Sequence, residues 1–180
     1  MFIIRLISFI LLISFPALAK ETTAIVNIEG IVSIPTCSIN GKTSAEFSQS
    51  VDMGLSTADA VISGKTKNID VPLIIQCPNS VGLDGISLSL STLGAYVPVG
   101  SSQSGAIKTN LKGVSIEMKW KSDNTPVSLN AGVNKQFPNN DGNNYDASMI
   151  SKVLPIPGFS FATMEKGYFK SGVNIKLSYY

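Results

Sequence analysis

The sequence has 180 residues, with 14 Lys and Arg against 12 Asp and Glu, 44% hydrophobic residues and no His. The absence of His excludes Ser-His-Asp and Cys-His nucleophile arrangements and every His-based metal site. A formal charge of only +2 argues against a nucleic-acid-binding surface, and no Gly-rich phosphate loop opens a helix. We therefore expect no enzymatic activity, no cofactor and no nucleic-acid partner.

The first 19 residues have the pattern of a signal peptide. Arg5 supplies the early charge, residues 6–15 are almost entirely apolar, and Ala17-Leu18-Ala19 is a small-x-small cleavage signature. An uncleaved membrane anchor is the alternative, but the apolar run is short for a span. The mature chain is expected to begin at Lys20, and its length of about 161 residues suits one domain.

Cys37 and Cys77 are the only cysteines. In a chain exported to an oxidising compartment, the default expectation for two cysteines is one disulfide. This bridge would join an early segment to a later one.

Short alternating segments follow one another along the mature chain. Apolar and polar residues alternate in residues 24–32, 86–90 and 114–120, and residues 68–77 form an apolar run of strand length. Residues 125–130 and 152–164 are further candidates, although Pro155 and Pro157 demote the first half of the latter to a bulge or an edge.

The segments between these strands have little regular pattern. The best helix candidate, residues 55–62, is one or two turns long, and residues 94–111 and 131–151 are typical of long loops. The run 139–144 superficially resembles a calcium loop but lacks the Glu at its twelfth position. About seven short strands separated by turns predict an all-β sandwich.

The last predicted strand covers residues 169–180. Its odd positions are mainly apolar and its even positions mainly polar, which is typical of a half-buried strand. Twelve residues give a length of about 40 Å, twice the usual value. Such a strand needs a neighbour on each side, since unpaired N–H and C=O groups invite pairing with another chain.

Two sources of that neighbour are compatible with the pattern. The segment 24–32 could fold back as an ordinary first strand and complete the sandwich within one chain. Alternatively, it could project from its own domain, because it lies ahead of Cys37 and therefore outside the predicted disulfide loop.

Several motifs resemble fimbrial subunits of the chaperone-usher class. The segment 28–40, IEGIVSIPTCSIN, resembles an alternating arm with a central glycine ahead of the first cysteine, and Cys77 within VPLIIQCP resembles the second-strand cysteine. Gly167, fourteenth from the end, and the penultimate Tyr179 are similar to the C-terminal pattern of that family.

The resemblance implies an incomplete immunoglobulin-like β-sandwich of six strands that lacks its last strand. Residues 1–19 would be the signal peptide, 20–33 a donor-strand extension and 34–180 the pilin domain. The donor side chains would be those of Ala24, Val26, Ile28, Gly30 and Val32. The acceptor groove and chaperone contact would comprise Gly167, Phe169, Val173, Ile175, Leu177, Tyr179 and Tyr180.

The implied partners are a periplasmic chaperone, which would grip the carboxylate of Tyr180, an outer-membrane usher and neighbouring subunits of an adhesive fimbria on the bacterial surface. Residues 34–40, IPTCSIN, and the short arm are most similar to minor tip or adaptor subunits of P-type pili. A terminating subunit, a carbohydrate-binding adhesin and a self-complete secreted β-sandwich stay open as alternatives, and Trp120 could stack on a sugar or belong to the core.

Overall fold

Strands dominate the part of the chain that the structure, a computed structural model, describes: residues 37–43, 47–77, 84–139 and 144–180. These residues lie within one compact unit, Ile34–Tyr180. They form one short helix, α1 (Ala58–Ile62), and ten strands. The strands are β1 (Ser38–Ile39), β2 (Asn68–Val71), β3 (Ile74–Gln76), β4 (Gly85–Thr92), β5 (Ala106–Lys108), β6 (Val114–Trp120), β7 (Asn134–Pro138), β8 (Asn144–Asp146), β9 (Met149–Pro155) and β10 (Val173–Tyr179). The predicted all-β class is confirmed.

All strand pairs among these residues are antiparallel and form three groups, ordered β1-β3-β8, β2-β9-β6-β5 and β10-β4-β7. The first two groups share one register. Val71 pairs with Met149 in β2–β9, and Ile74 pairs with Asp146 in β3–β8, so the alignment continues across the interruption. The two groups therefore form one interrupted sheet, and its buried residues share a core with strand β4 of the layer β10-β4-β7.

The interruption has a local cause. Pro72 has no N–H to donate to a ladder, so residues 68–77, predicted as one strand, divide into β2 and β3. Side-chain and backbone bonds replace the missing ladder: the N–H of Leu73 donates to Ser148 Oγ at 3.2 Å, and the N–H of Ala147 donates to the carbonyl of Leu73 at 2.9 Å.

The core lies between the two layers. Ile86, Leu88 and Leu90 of β4 are each at most 1% exposed and belong to the same buried cluster as Ile75 and Trp120. The ring of Trp120 packs edge-on against Phe137, with ring centroids 5.5 Å apart. Trp120 is therefore a core residue in this structure, which removes the support for a sugar-stacking role.

Helix α1 agrees with the prediction of one or two turns. Thr57 caps it, because its Oγ1 accepts a hydrogen bond from the N–H of Ala60 at 3.2 Å. The helix buries Val61 in a second small cluster with Val153 and Met164.

Three predicted segments differ from the observed structure. Residues 94–111 contain β5, and residues 131–151 contain β7, β8 and the start of β9. Strands β5 and β7 have few apolar residues and lie beside longer partners, β6 and β4, while β8 is only three residues long. Residues 125–130 form no strand, although Pro126 makes an isolated bridge to Lys119.

For residues 152–164, the structure is the reverse of the prediction, because the first half is a regular strand and the second half is not. The first half, expected to be a bulge or an edge, belongs to β9, which pairs with β2 on one side and β6 on the other. Pro155 is tolerated because it is the last residue of that strand. The second half turns at Gly158, which has a positive φ of 88°, so Phe159 and Phe161 lie outside any strand.

The expected disulfide joins Cys37 to Cys77, both of them buried. It connects the residue before β1 to the residue after β3 across a sequence separation of 40. Residues 1–36 thus precede the cross-linked loop.

We expect the double variant Cys37→Ser, Cys77→Ser to lose about 4 kcal/mol of unfolding free energy, because the bridge restricts the unfolded chain. Denaturant unfolding of the oxidised protein and the variant, each with a donor strand fused after its last residue, would measure this loss. Wild-type protein under reducing conditions is the control and should match the variant. Equal stability of all three samples would contradict the prediction.

Candidate functional site: the outer edge of strand β10

Strand β10 is an edge strand of the layer β10-β4-β7. It pairs with β4 along its whole length, from Val173 opposite Thr92 to Tyr179 opposite Ile86. Within the residues that the structure describes, no strand pairs with its other side. This outer edge is the feature of the fold best suited to bind another chain.

The backbone orientation of β10 follows from its two ends. Tyr180 and Gly85 exchange two N–H···O bonds of 3.2 Å, and the N–H of Leu93 donates to the carbonyl of Gly172 at 2.9 Å. Hydrogen-bonded and non-hydrogen-bonded pairs alternate in an antiparallel ladder, so the even-numbered residues bond to β4. The odd-numbered residues direct their N–H and C=O groups to the outer edge.

The same odd-numbered residues carry the apolar side chains. Val173 and Leu177 pack against the main core cluster, whereas Ile175 and Tyr179 each stay 37% exposed. Lys176 and its even-numbered neighbours point to the opposite face of the sheet. The structure thus brings together four predicted groove residues, Val173, Ile175, Leu177 and Tyr179, on one face of a strand that has β4 as its only partner among the described strands.

The last strand is shorter than predicted, seven residues instead of twelve. Asn110 diverts the segment before this strand through two hydrogen bonds to Lys170. The side-chain Oδ1 of Asn110 accepts from the backbone N–H of Lys170 at 2.5 Å, and the backbone N–H of Asn110 donates to the carbonyl of Lys170 at 3.1 Å. Phe169 packs on the core but lies outside β10. Gly167, expected to open the strand, has φ of 148° and precedes Val173 by six residues.

Tyr180 is anchored at the other end of β10. Its main-chain oxygen accepts hydrogen bonds from the N–H groups of Asp84, at 2.9 Å, and Gly85, at 3.2 Å.

The buried Tyr145 hydroxyl finds no hydrogen-bond partner among the described residues. Burial, and to a smaller extent the nearby Tyr180, raise the pKa of Tyr145, so its phenol stays uncharged beside Tyr180.

Gly85 is required for this anchor because a Cβ there would lie 2.5 Å from the carbonyl oxygen of Phe137 and 2.6 Å from the hydroxyl of Tyr180. We expect Gly85→Ala to displace Tyr180 and to lower the unfolding free energy by about 1–3 kcal/mol. Thermal unfolding of wild type and variant, each with a donor strand fused after Tyr180, would measure this effect.

Gly132→Ala is the matched control, since among the described residues its Cβ would meet only Asn130 Oδ1, at 3.4 Å. A loss at Gly132 equal to that at Gly85 would mean that steric displacement of Tyr180 is not the cause.

The predicted donor residues Ala24, Val26, Ile28, Gly30 and Val32 lie outside the described residues, as does most of the calcium-like run 139–144. In the described ranges, no group of three or more His, Cys, Asp or Glu could hold a metal ion. Within the same ranges, no helix is long and apolar enough to cross a membrane.

Sequence reasoning missed Asn110 and Gly85 as supports of the site. An Asn after a short apolar segment and a Gly opening a strand are too common to be recognised individually. Their roles depend on residues about 60 and 95 positions later in the chain, Lys170 and Tyr180.

Comparison with known proteins gives structural matches only. No protein-family model matches the sequence, and no curated protein matches it. The crystal structure of the P pilus rod subunit PapA is similar, with a TM-score of 0.54 at 18% identity, covering 81% of this chain and 99% of that one. A chain from a chaperone-usher pilus, solved in a study of rod uncoiling, is also similar. Its TM-score is 0.60 at 17% sequence identity, and the match covers 89% of this chain and 98% of that one. The chain therefore has the pilin-like β-sandwich fold.

Proposed function

We propose that this chain is a structural subunit of a chaperone-usher pilus and that other chains bind it by adding a strand to β10. One observation carries the proposal: the outer edge of β10 combines backbone groups that pair with no strand of the described ranges with partly exposed apolar side chains on the same residues. Strand addition uses both, because the ladder supplies affinity while side chains entering pockets supply specificity. The fold shared with pilus subunits supports the same reading.

The donor is the arm of a neighbouring subunit, equivalent to residues 20–33 here. The arm of this chain would in turn enter the groove of the preceding subunit, and its side chains on the groove side would be Ala24, Val26, Ile28, Gly30 and Val32. A slip of one residue would turn this apolar face away from the groove, so the alternation fixes the register. Gly30 suits a shallow position, since an absent side chain allows close backbone approach.

We propose the following route for the subunit. The signal peptide, residues 1–19, directs export, and a periplasmic chaperone first fills the groove and contacts Tyr180. At the outer-membrane usher, the arm of the next subunit replaces the chaperone. The subunit, residues 34–180 with its own arm, then resides in a fibre on the cell surface, with a structural and non-enzymatic role.

Within the fibre, we propose a minor tip or adaptor position that contributes to cell adhesion. The short arm and residues 34–40 support this rank. The similar solved chains come from pilus rods, but at 17% and 18% identity that likeness concerns the fold.

A peptide of residues 20–33 tests the proposed groove. The acceptor is the mature chain, purified with its chaperone, and the readouts are the yield and thermal stability of the peptide complex. Ile175→Asp should lower the yield at least tenfold, because it places an unpaired charge among apolar side chains at the groove.

Lys176→Asp is the matched control, because residue 176 points to the opposite face of the same strand. Its yield should stay within about twofold of wild type. Equal behaviour of the two variants would refute strand addition at β10.

A further inference from the structure

Three apolar side chains remain exposed beyond the Val173 end of β10. Tyr168 is 96% exposed, Leu93 is 47% exposed and Val97 is 46% exposed. We call these three residues the apolar rim. Single exposed apolar residues are ordinary, but a group around one structural feature marks an interaction surface.

Hydrogen bonds tie the rim to the segment that leads into β10. The N–H of Leu93 donates to the carbonyl of Gly172 at 2.9 Å, and Asn110 Nδ2 donates to the carbonyl of Tyr168 at 3.2 Å. The rim therefore has a fixed backbone at the end of the groove.

Val97 is attached through β5. Its carbonyl accepts the N–H of Lys108 at 2.9 Å, and the carbonyl of Lys108 accepts Ser171 Oγ at 2.9 Å. Hydrogen bonds thus link all three rim residues, directly or through one intermediate residue, to residues 169–172, which precede β10.

The direction of the incoming strand places its domain at this end. Every strand pair in the described ranges is antiparallel, and parallel pairing is slightly less stable per residue. An antiparallel donor begins near Tyr179 and ends near Val173. The last donor residue, Val32, is five positions before Cys37, which allows a separation of at most about 18 Å.

We propose that the apolar rim contacts the folded domain of the donor subunit, which can be a second copy of this chain. This inference rests on the proposed function. Tyr168 is the expected anchor, because a tyrosine offers a large apolar surface and a polar tip at low entropy cost. The rim would therefore fix the angle between successive subunits, while the groove provides the connection.

The test compares two donors for the same acceptor. One donor is the peptide of residues 20–33. The other is a second copy with a donor strand fused after its own Tyr180, so that its groove is filled and its arm is free. Dissociation of each from the chaperone-free complex is measured for wild type and for Tyr168→Ser.

We expect Tyr168→Ser to speed dissociation of the whole-subunit donor about tenfold and that of the peptide less than twofold. Val133→Ser is the control, because Val133 is 39% exposed and precedes β7 on the far edge of the same layer. This variant should match wild type with both donors.

Unchanged dissociation of the whole subunit from Tyr168→Ser would overturn the rim contact, since the donor domain would then lie elsewhere. Failure of the peptide to bind wild type would instead overturn the proposed function itself. The two failures are therefore distinguishable.

Discussion

A donor strand fused after Tyr180 is expected to convert a chain that aggregates or degrades when produced alone into a soluble monomer. In this variant, an Asn-Gly turn would lead residues 20–33 back along the outer edge of β10. The fused strand would pair with the outward backbone groups of the odd-numbered residues and cover the exposed Ile175 and Tyr179.

The gain can be estimated from the surface that the strand buries. If each of five donor positions contributes about 1 kcal/mol net, the unfolding free energy rises by about 5 kcal/mol. For a domain of this size, this corresponds to a rise in Tm of about 10–20 °C. Calorimetry and size-exclusion chromatography would measure stability and association.

A fused strand with Val26→Asp and Ile28→Asp is the control, and it should restore neither solubility nor stability. A mature chain without any fusion that refolds to an equally stable monomer would show that the sandwich is self-complete.

Deletion of residues 20–32 is expected to abolish addition of this subunit to the preceding one while its chaperone complex still forms. The arm precedes Cys37, so its removal leaves the disulfide loop and all described strands in place. The groove would stay intact, and only the ability to donate a strand would be lost. Polymerisation from purified chaperone complexes would measure this loss.

A shorter deletion, residues 20–22, keeps every alternating donor residue and should polymerise at close to the wild-type rate. If polymerisation survives the longer deletion, the arm is not the donor. If the chaperone complex fails instead, the arm belongs to the sandwich.

Strands with a clean alternation were predictable from sequence. Residues 114–120 coincide with β6, and Ile86, Leu88 and Leu90 lie in β4, because one side of each strand faces the core. Strands β5 and β7 were not predictable, because their few apolar residues become meaningful only beside longer partners. The Cys37–Cys77 bridge followed from a count of cysteines in an exported chain.

The candidate site was partly predictable for a similar reason. Alternation places Val173, Ile175, Leu177 and Tyr179 on one face, and the structure agrees. The start of β10 was not predictable, because a single distant side chain, Asn110, redirects the backbone before Val173. The rim was also hidden, since its members come from segments about 75 residues apart in sequence.

The register of β1 against β3 gives the disulfide a further effect. Ser38 pairs with Gln76, so Cys37 lies opposite Cys77 where the same ladder is extended by one position. A one-residue slip of β1 along β3 would turn the side chains of β1 to the other face and carry the sulfur of Cys37 away from that of Cys77. Oxidation therefore favours the native register of these two strands, and a misaligned chain would keep two free thiols.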